Sequence, residues 1–317
     1  MLKTFRTTIL AGAMLAAASA VAADYPSKPI EVIVGFSAGG GTDVMARTVA
    51  PYLEKALGEG ATIVVKNVPG ASGQIGVTQV ANATADGYTL GTYNLPGMMA
   101  RTLDRKAGYS AESFTYLANV VNDPNVIVTS KASGLDSIAK LVAAAKADPG
   151  ALSVGMSSLG GDDHFALTKL QNLTGTEFTI APFKGSAPTR TAILGGHVPV
   201  AILNVSEVAQ FLDQMNVLGV AQEQRSKFAP DVPTFVEQGI KLINGSQRGF
   251  VAPAGLPEDV KARLLKAFAS LSGNETFADA MAATANPVEL KVGGDFEALN
   301  AELLDLAKTV WEKTPWK

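Results

Sequence analysis

The chain has 317 residues, 47% of them hydrophobic and 17% charged, with 31 Gly, 16 Pro and no Cys. A formal charge of −3 excludes a broad electrostatic footprint for nucleic acid, and the lack of Cys excludes disulfides, thiolate metal sites and cysteine nucleophiles. Two histidines, His164 and His197, leave little for a zinc centre or an imidazole catalyst, and the length points to two domains.

The first residues read as a secretory signal peptide, residues 1–23. Lys3 and Arg6 precede an apolar run, Ile9 to Ala18, and small residues follow from Ser19 to Ala23. The run is too short to span a bilayer, and cleavage after Ala22 or Ala23 fits. The mature chain then carries 24 cations against 29 anions, a formal −5, and is expected to be exported.

From there strand-like runs alternate with helical periodicity, which predicts parallel sheets with helices on both faces, an α/β fold. Ile30 to Val34 reads as a strand and Asp43 to Leu57 as a helix that Pro51 should kink or divide. Thr62 to Val65 is the next strand, Gln74 to Ala83 a helix and Tyr88 to Thr92 a strand. The middle third repeats this grammar: strands Asn125 to Thr129, Leu152 to Met156, Phe178 to Phe183 and Val198 to Leu203. Between them lie helices Ser137 to Ala147, Phe165 to Leu173 and Ala187 to Leu194. Strand Gly249 to Ala252 follows, then two helices striped by Val260, Leu264, Phe268 and Leu271 and by Phe296, Leu299, Leu303, Leu306 and Val310. With no flexible linker, the two lobes should join by crossings near Asn122 to Pro124 and Gly245 to Arg248. They should then close on each other by hinge motion.

Two loops stand out for chemistry. Gly35-Phe36-Ser37-Ala38-Gly39-Gly40-Gly41-Thr42-Asp43 lies between the first strand and its helix, at the carboxyl edge where ligands bind in open parallel sheets. Glycines let the backbone approach a ligand, and free N–H groups at a helix start favour an anion. The loop lacks the Lys of a phosphate-binding P-loop and the spacing of a dinucleotide fingerprint. Its Gly35-Phe36-Ser37-Ala38-Gly39 does match a nucleophile elbow, so a secreted serine hydrolase using Ser37, with Asp162 or Asp163 and His197, is the rival reading. Against it, the elbow would fall on the first strand of the mature chain, leaving no earlier loop to supply an oxyanion hole.

The second loop, Ser157-Ser158-Leu159-Gly160-Gly161-Asp162-Asp163-His164, again follows a strand and opens a helix. Facing one another across a cleft, the two loops make a carboxylate clamp and a poor catalyst, because no nucleophile, base and orienter converge. Asp162 or Asp163 can instead cap its helix. His164 reads as a helix-surface or hydrogen-bonded residue and His197 as a turn residue. Lys184 and Gly185, in a third strand-to-helix loop, and Asn204, at a strand end, are lesser candidates.

These motifs resemble a known family. Tyr25-Pro26-Ser27-Lys28-Pro29-Ile30, the first loop through Arg47, and Asn67-x-Pro69-Gly70-Ala71-x-Gly73 look like its opening. Ala85-Asp86-Gly87-Tyr88-Thr89-Leu90, Phe183-Lys184-Gly185-Ser186-Ala187-Pro188, Gly195-Gly196-His197-Val198, Asp231-Val232-Pro233-Thr234 and Ala252-Pro253-Ala254-Gly255 continue it in order. The sequence is similar to the Bug, or TctC-like, substrate-binding proteins of tripartite tricarboxylate transporters, over essentially the whole mature chain. The resemblance implies a two-lobe periplasmic binding protein of type II, the Venus-flytrap kind, with 24–122 and 247–317 as lobe I and 123–246 as lobe II. It implies no enzymatic activity, no cofactor and no metal. Its partners would be a small carboxylated solute and the large and small membrane subunits of the transporter, with the receptor itself a monomer. Carried over by position, the ligand-binding residues would be Phe36, Ser37 and Gly39 to Asp43 (Gly39, Gly40, Gly41, Thr42, Asp43), with Ser157, Ser158 and Gly160 to Asp163 (Gly160, Gly161, Asp162, Asp163). Lys184, Gly185 and Asn204 are weaker additions.

Two departures from the family pattern matter. Asp162-Asp163 stands where many members carry small or hydroxyl residues, and a carboxylate facing the cleft would repel a second ligand carboxylate. A monocarboxylate, or a solute with a cationic or amide end, is then the better fit. Arg248 stands where members often carry an aromatic residue, near the predicted hinge, from which it could reach an anion bidentately.

Overall fold

The computed structural model describes residues 25–104, 106–313 and 315. The signal peptide and its cleavage point lie outside the described residues. Ten strands are β1 (Ile30–Val34), β2 (Ile63–Asn67), β3 (Thr89–Leu95), β4 (Phe114–Ser130), β5 (Ser153–Met156), β6 (Thr179–Pro182), β7 (Val200–Asn204), β8 (Met215–Val220), β9 (Gly245–Pro253) and β10 (Val288–Val292). The helices are α1 (Gly41–Leu57), α2 (Gln74–Ala81), α3 (Gly97–Asp104), α4 (Ile138–Ala147), α5 (Asp162–Thr174), α6 (Ser186–Leu194), α7 (Val205–Val208), α8 (Glu258–Ala269), α9 (Glu275–Ala283) and α10 (Gly294–Lys313).

The strands run β2-β1-β3-β9-β4-β7-β5-β6, with β8 and β10 also paired to β4. The outer strands are parallel as expected, β1 with β2 and β3, and β5 with β6 and β7. The middle differs from the all-parallel expectation, because β3–β9, β4–β9, β4–β7, β4–β8 and β4–β10 are all antiparallel. The reason is β4 itself. Phe114 to Pro124 pair with β9, and Asn125 to Ser130 pair with β7 and β8, so one strand of 17 residues serves both halves. The predicted crossings are partners in this ladder: Asn122, Asp123 and Pro124 stand opposite Gln247, Ser246 and Gly245.

Each half has its own core. Val32, Met45, Val49, Leu53, Leu117, Phe250, Leu264, Phe268 and Phe277 belong to one half, and Ile127, Leu141, Val154, Leu167, Ile202 and Phe235 to the other. Phe165 of α5 crosses between halves, clustering with Ala100 of α3 and Ala307 of α10. Helix α1 is not divided at Pro51. Pro51 is exposed, so the carbonyl it leaves without a partner, that of exposed Arg47, faces water. Helix α5 begins at Asp162, three residues earlier than the apolar pattern suggested.

Candidate functional site

Both glycine loops stand at the carboxyl ends of parallel strands, β1 and β5, and each is tied by a buried aspartate of the helix it opens. In the first, Asp43 accepts from the Gly39 amide through Oδ2 (2.8 Å), and from Arg47 Nε and Asn67 Nδ2 through Oδ1 (both 2.9 Å). These donors, with the charge of Arg47, outweigh burial and hold its carboxyl below the usual range. Gly35 is required by a close approach: a Cβ there would lie 2.8 Å from the Gly73 carbonyl oxygen. In the second loop, Asp163 Oδ2 accepts from the Ser157 amide (2.5 Å), the Ser157 hydroxyl (2.7 Å) and the Ser158 amide (3.3 Å), and Oδ1 from the His164 amide (2.9 Å). Complete burial and the neighbouring charge of Asp162 push its carboxyl up to about 7 against those bonds. The Gly160 amide donates to His164 Nδ1 (2.9 Å), and burial pulls that imidazole down to about 4, so it is neutral near pH 7.

Between the loops lies one small cavity, in which the space open to the centre of a water molecule is about 30 Å³. Of the residues singled out in sequence, Phe36, Gly40, Thr42, Ser157, Ser158, Gly161, Asp162, Asn204 and Arg248 border it. Asp162 therefore faces the cleft and Asp163 turns back into its loop. Asp162 Oδ2 accepts from Asn125 Nδ2 (2.8 Å) and Asn204 Nδ2 (3.0 Å).

Arg248 is only 2% exposed. Its Nη1 donates to Asp123 Oδ2 (2.7 Å) and Ser206 Oγ (3.1 Å), and its Nη2 to Asn204 Oδ1 (2.9 Å) and Glu207 Oε1 (3.2 Å). Both ends of its fork are therefore held inside the protein. Asp123 is fully buried, and desolvation pushes its carboxyl up to about 6 against the pull of Arg248. Glu207 closes a capping box on α7 and also accepts from the Gly41 amide (3.2 Å), so a carboxylate of the second half sits on the first turn of α1 in the first.

The remaining predicted residues lie around the cavity. The Ser37 hydroxyl donates to the Lys184 carbonyl (2.6 Å), whose own side chain is exposed. Gly185 packs on Ser37 with φ +123°, a conformation a side chain would strain. Gly39 and Gly41 border a neighbouring cavity with Arg190 and Glu207, and Gly160 spans the second loop. His197 is exposed in the turn between α6 and β7. A nucleophilic serine needs its proton held toward a base, whereas that of Ser37 is held on a main-chain carbonyl. Asn94, Met98, Arg101 and Glu207 also border the cavity and belong to no motif quoted above; Ser186 of the Phe183–Pro188 motif and Ser246 of the predicted crossing border it too. Of the first four, Glu207 had a local signal, the Asn204-x-x-Glu207 spacing of a capping box.

Comparison with known proteins gives a consistent picture. Residues 45–309 match the family described as the tripartite tricarboxylate transporter family receptor, TctC. Protein BugT of Bordetella pertussis is 36% identical over 245 residues, covering 75% of this chain and 74% of its own. The periplasmic binding protein BugD superposes with a TM-score of 0.84 at 28% identity, covering 91% of this chain and 98% of its own. MatC of Rhodopseudomonas palustris, solved with bound malate, superposes with a TM-score of 0.81 at 25% identity over 91% of this chain and 99% of its own.

Proposed function

The chain belongs to the tripartite tricarboxylate transporter receptor family, a family of two-lobe periplasmic receptors for small carboxylates. From that premise we propose that it closes its lobes, 24–122 with 247–317 against 123–246, on a solute with a single carboxylate. It then delivers the solute to the large and small membrane subunits of a transporter. One observation carries this reading: two strand-to-helix loops, each tied by a buried aspartate, face each other over one cavity lined by hydroxyls, side-chain amides, Arg101 and Arg248, and the carboxylates of Asp162 and Glu207. Arg101 and the hydroxyls and amides of such a lining hold and orient an anion, its carboxylates limit how much negative charge that anion carries, and among the described residues no activated nucleophile accompanies it. The protein acts as an exported monomeric receptor without enzymatic activity, and its leader is removed after Ala22 or Ala23.

The preference for one carboxylate rests on Asp162. It stands at the cleft with one oxygen engaged by two amides, and a second solute carboxylate beside it would meet like charge at short range. MatC, solved with bound malate, shows that the same fold accepts a dicarboxylate, so the preference proposed here rests on Asp162 and not on the fold. The test is thermal unfolding of protein refolded to strip bound solute, against mono-, di- and tricarboxylates. A monocarboxylate at about a hundredfold its Kd adds about 2.7 kcal/mol and raises the midpoint by several degrees. A larger shift with a dicarboxylate than with any monocarboxylate defeats the preference, and silence across the panel defeats the receptor reading.

A further inference from the structure

One wall of the cavity is made by the strands that join the halves. Ser246 and Arg248 are two apart on β9 and so project from the same face, and Asn94 of β3 stands opposite Arg248 in the antiparallel register. Ser246 is 1% exposed, and its Oγ has no hydrogen-bond partner. Asn94 donates its amide nitrogen to Thr42 Oγ1 (2.7 Å), and its buried Oδ1 has no partner either. Asp162 reaches the same cavity from the first turn of α5. Buried acceptors without donors are unfavourable, so a wall that collects them beside a carboxylate is complementary to a group that donates.

The charges say which group. Arg248 and Arg101 are the cations bordering the cavity among the described residues. Arg248 is surrounded by three carboxylates: Asp123 and Glu207 pair with it, and Asp162 acts on it through space. This wall therefore holds an excess of negative charge. Arg101 lies apart from it, on α3 next to the second loop, where it donates to the carbonyls of Gly97 and Leu159. The Nε–H of Arg248 also has no partner, but an anion placed there would meet the three carboxylates around the same guanidinium.

We propose that the solute is an aminocarboxylate. Its primary ammonium is received by Asp162, Asn94 Oδ1 and Ser246 Oγ, and its carboxylate lies toward Arg101 and the Ser158 hydroxyl of the second loop. An ammonium has three N–H donors and no acceptor, which matches three acceptors under a negative potential. The small cavity keeps the solute to a few carbons when the lobes are closed. This inference rests on the carboxylate-receptor reading and adds the chemistry of the solute's other end.

Isothermal titration calorimetry on the refolded protein separates the two. Matched probes differ in one group: L-alanine against L-lactate, and 4-aminobutanoate against 4-hydroxybutanoate and succinate. The amino member of at least one set should bind about tenfold or more tightly than its partners, and Asp162→Asn should remove most of that preference. Ser246→Ala should reduce it by a smaller factor. A hydroxy acid or diacid that binds as tightly as its amino analogue overturns this inference and leaves the receptor reading standing. So does an amino preference that survives Asp162→Asn. Failure of every probe to bind overturns both.

Discussion

Adjacent aspartates in one helical turn do opposite jobs. Asp162 looks into the cavity, while Asp163 gathers two amides and a hydroxyl of its own loop. Because burial raises the Asp163 carboxyl to about 7, its contribution to stability is full below the ordinary carboxylate value and fades as pH climbs through 7. His164 runs the other way: held down at about 4, it contributes above its ordinary value and loses that contribution as pH falls through 4. A comparison of Asp163→Asn with the parent isolates the aspartate. Between about pH 5 and about pH 8 the parent's unfolding free energy should fall more than the variant's, by on the order of a few kcal/mol, in urea titrations at each pH. Parallel profiles would show that Asp163 titrates like an exposed carboxylate.

At the scale of elements, β4 and β9 carry the most consequential contact, the buried pairing of Arg248 with Asp123 and Glu207. Removing one partner of a buried ion pair strands the others. Arg248→Met should therefore cost about 3–5 kcal/mol of unfolding free energy, and Arg248→Met with Asp123→Asn should recover part of it. Equal stability of the single and double variants would place the cost in lost packing alone. The elements that build the clamp were legible in sequence because glycine loops after β-branched runs have a distinctive local chemistry. The hinge wall was not. Asn94 sits in ordinary strand text and Ser246 inside a predicted crossing, and the two come to one wall only when β3 and β9 pair across more than 150 residues of chain. Arg248 was visible as an oddity, yet its three carboxylate neighbours come from β4, α5 and α7, which no spacing rule connects. The antiparallel centre of the sheet was equally hidden, since register between distant strands leaves no mark on either one.

For the whole molecule, the proposed closure involves four hydrogen bonds across the cleft besides the buried bonds of Arg248 at the predicted hinge. Ser37 to the Lys184 carbonyl, Gly41 to Glu207, Arg101 to the Leu159 carbonyl and Arg190 to the Gly39 carbonyl join the halves across the cleft. Each such bond is worth about 0.5–1.5 kcal/mol net, so the closed arrangement is easily biased. Ser37→Ala combined with Arg190→Ala should enlarge the ligand-free radius of gyration in small-angle X-ray scattering. The same pair of changes should weaken solute binding by about tenfold or more. An unchanged scattering curve with full affinity would show that these two contacts do not govern closure.

The course of β4 also sets an order of assembly. The first half cannot complete its sheet until β9 and β10 are made, because β3 and the first part of β4 both pair with β9. The second half draws its strands from a continuous stretch, β4 through β8, and is available earlier. A chain stopped before Gly245 would thus own one finished core and one open sheet edge, an aggregation-prone species. The receptor is therefore most vulnerable during its own synthesis and refolding, and the last quarter of the sequence acts as the clasp that makes the first quarter safe.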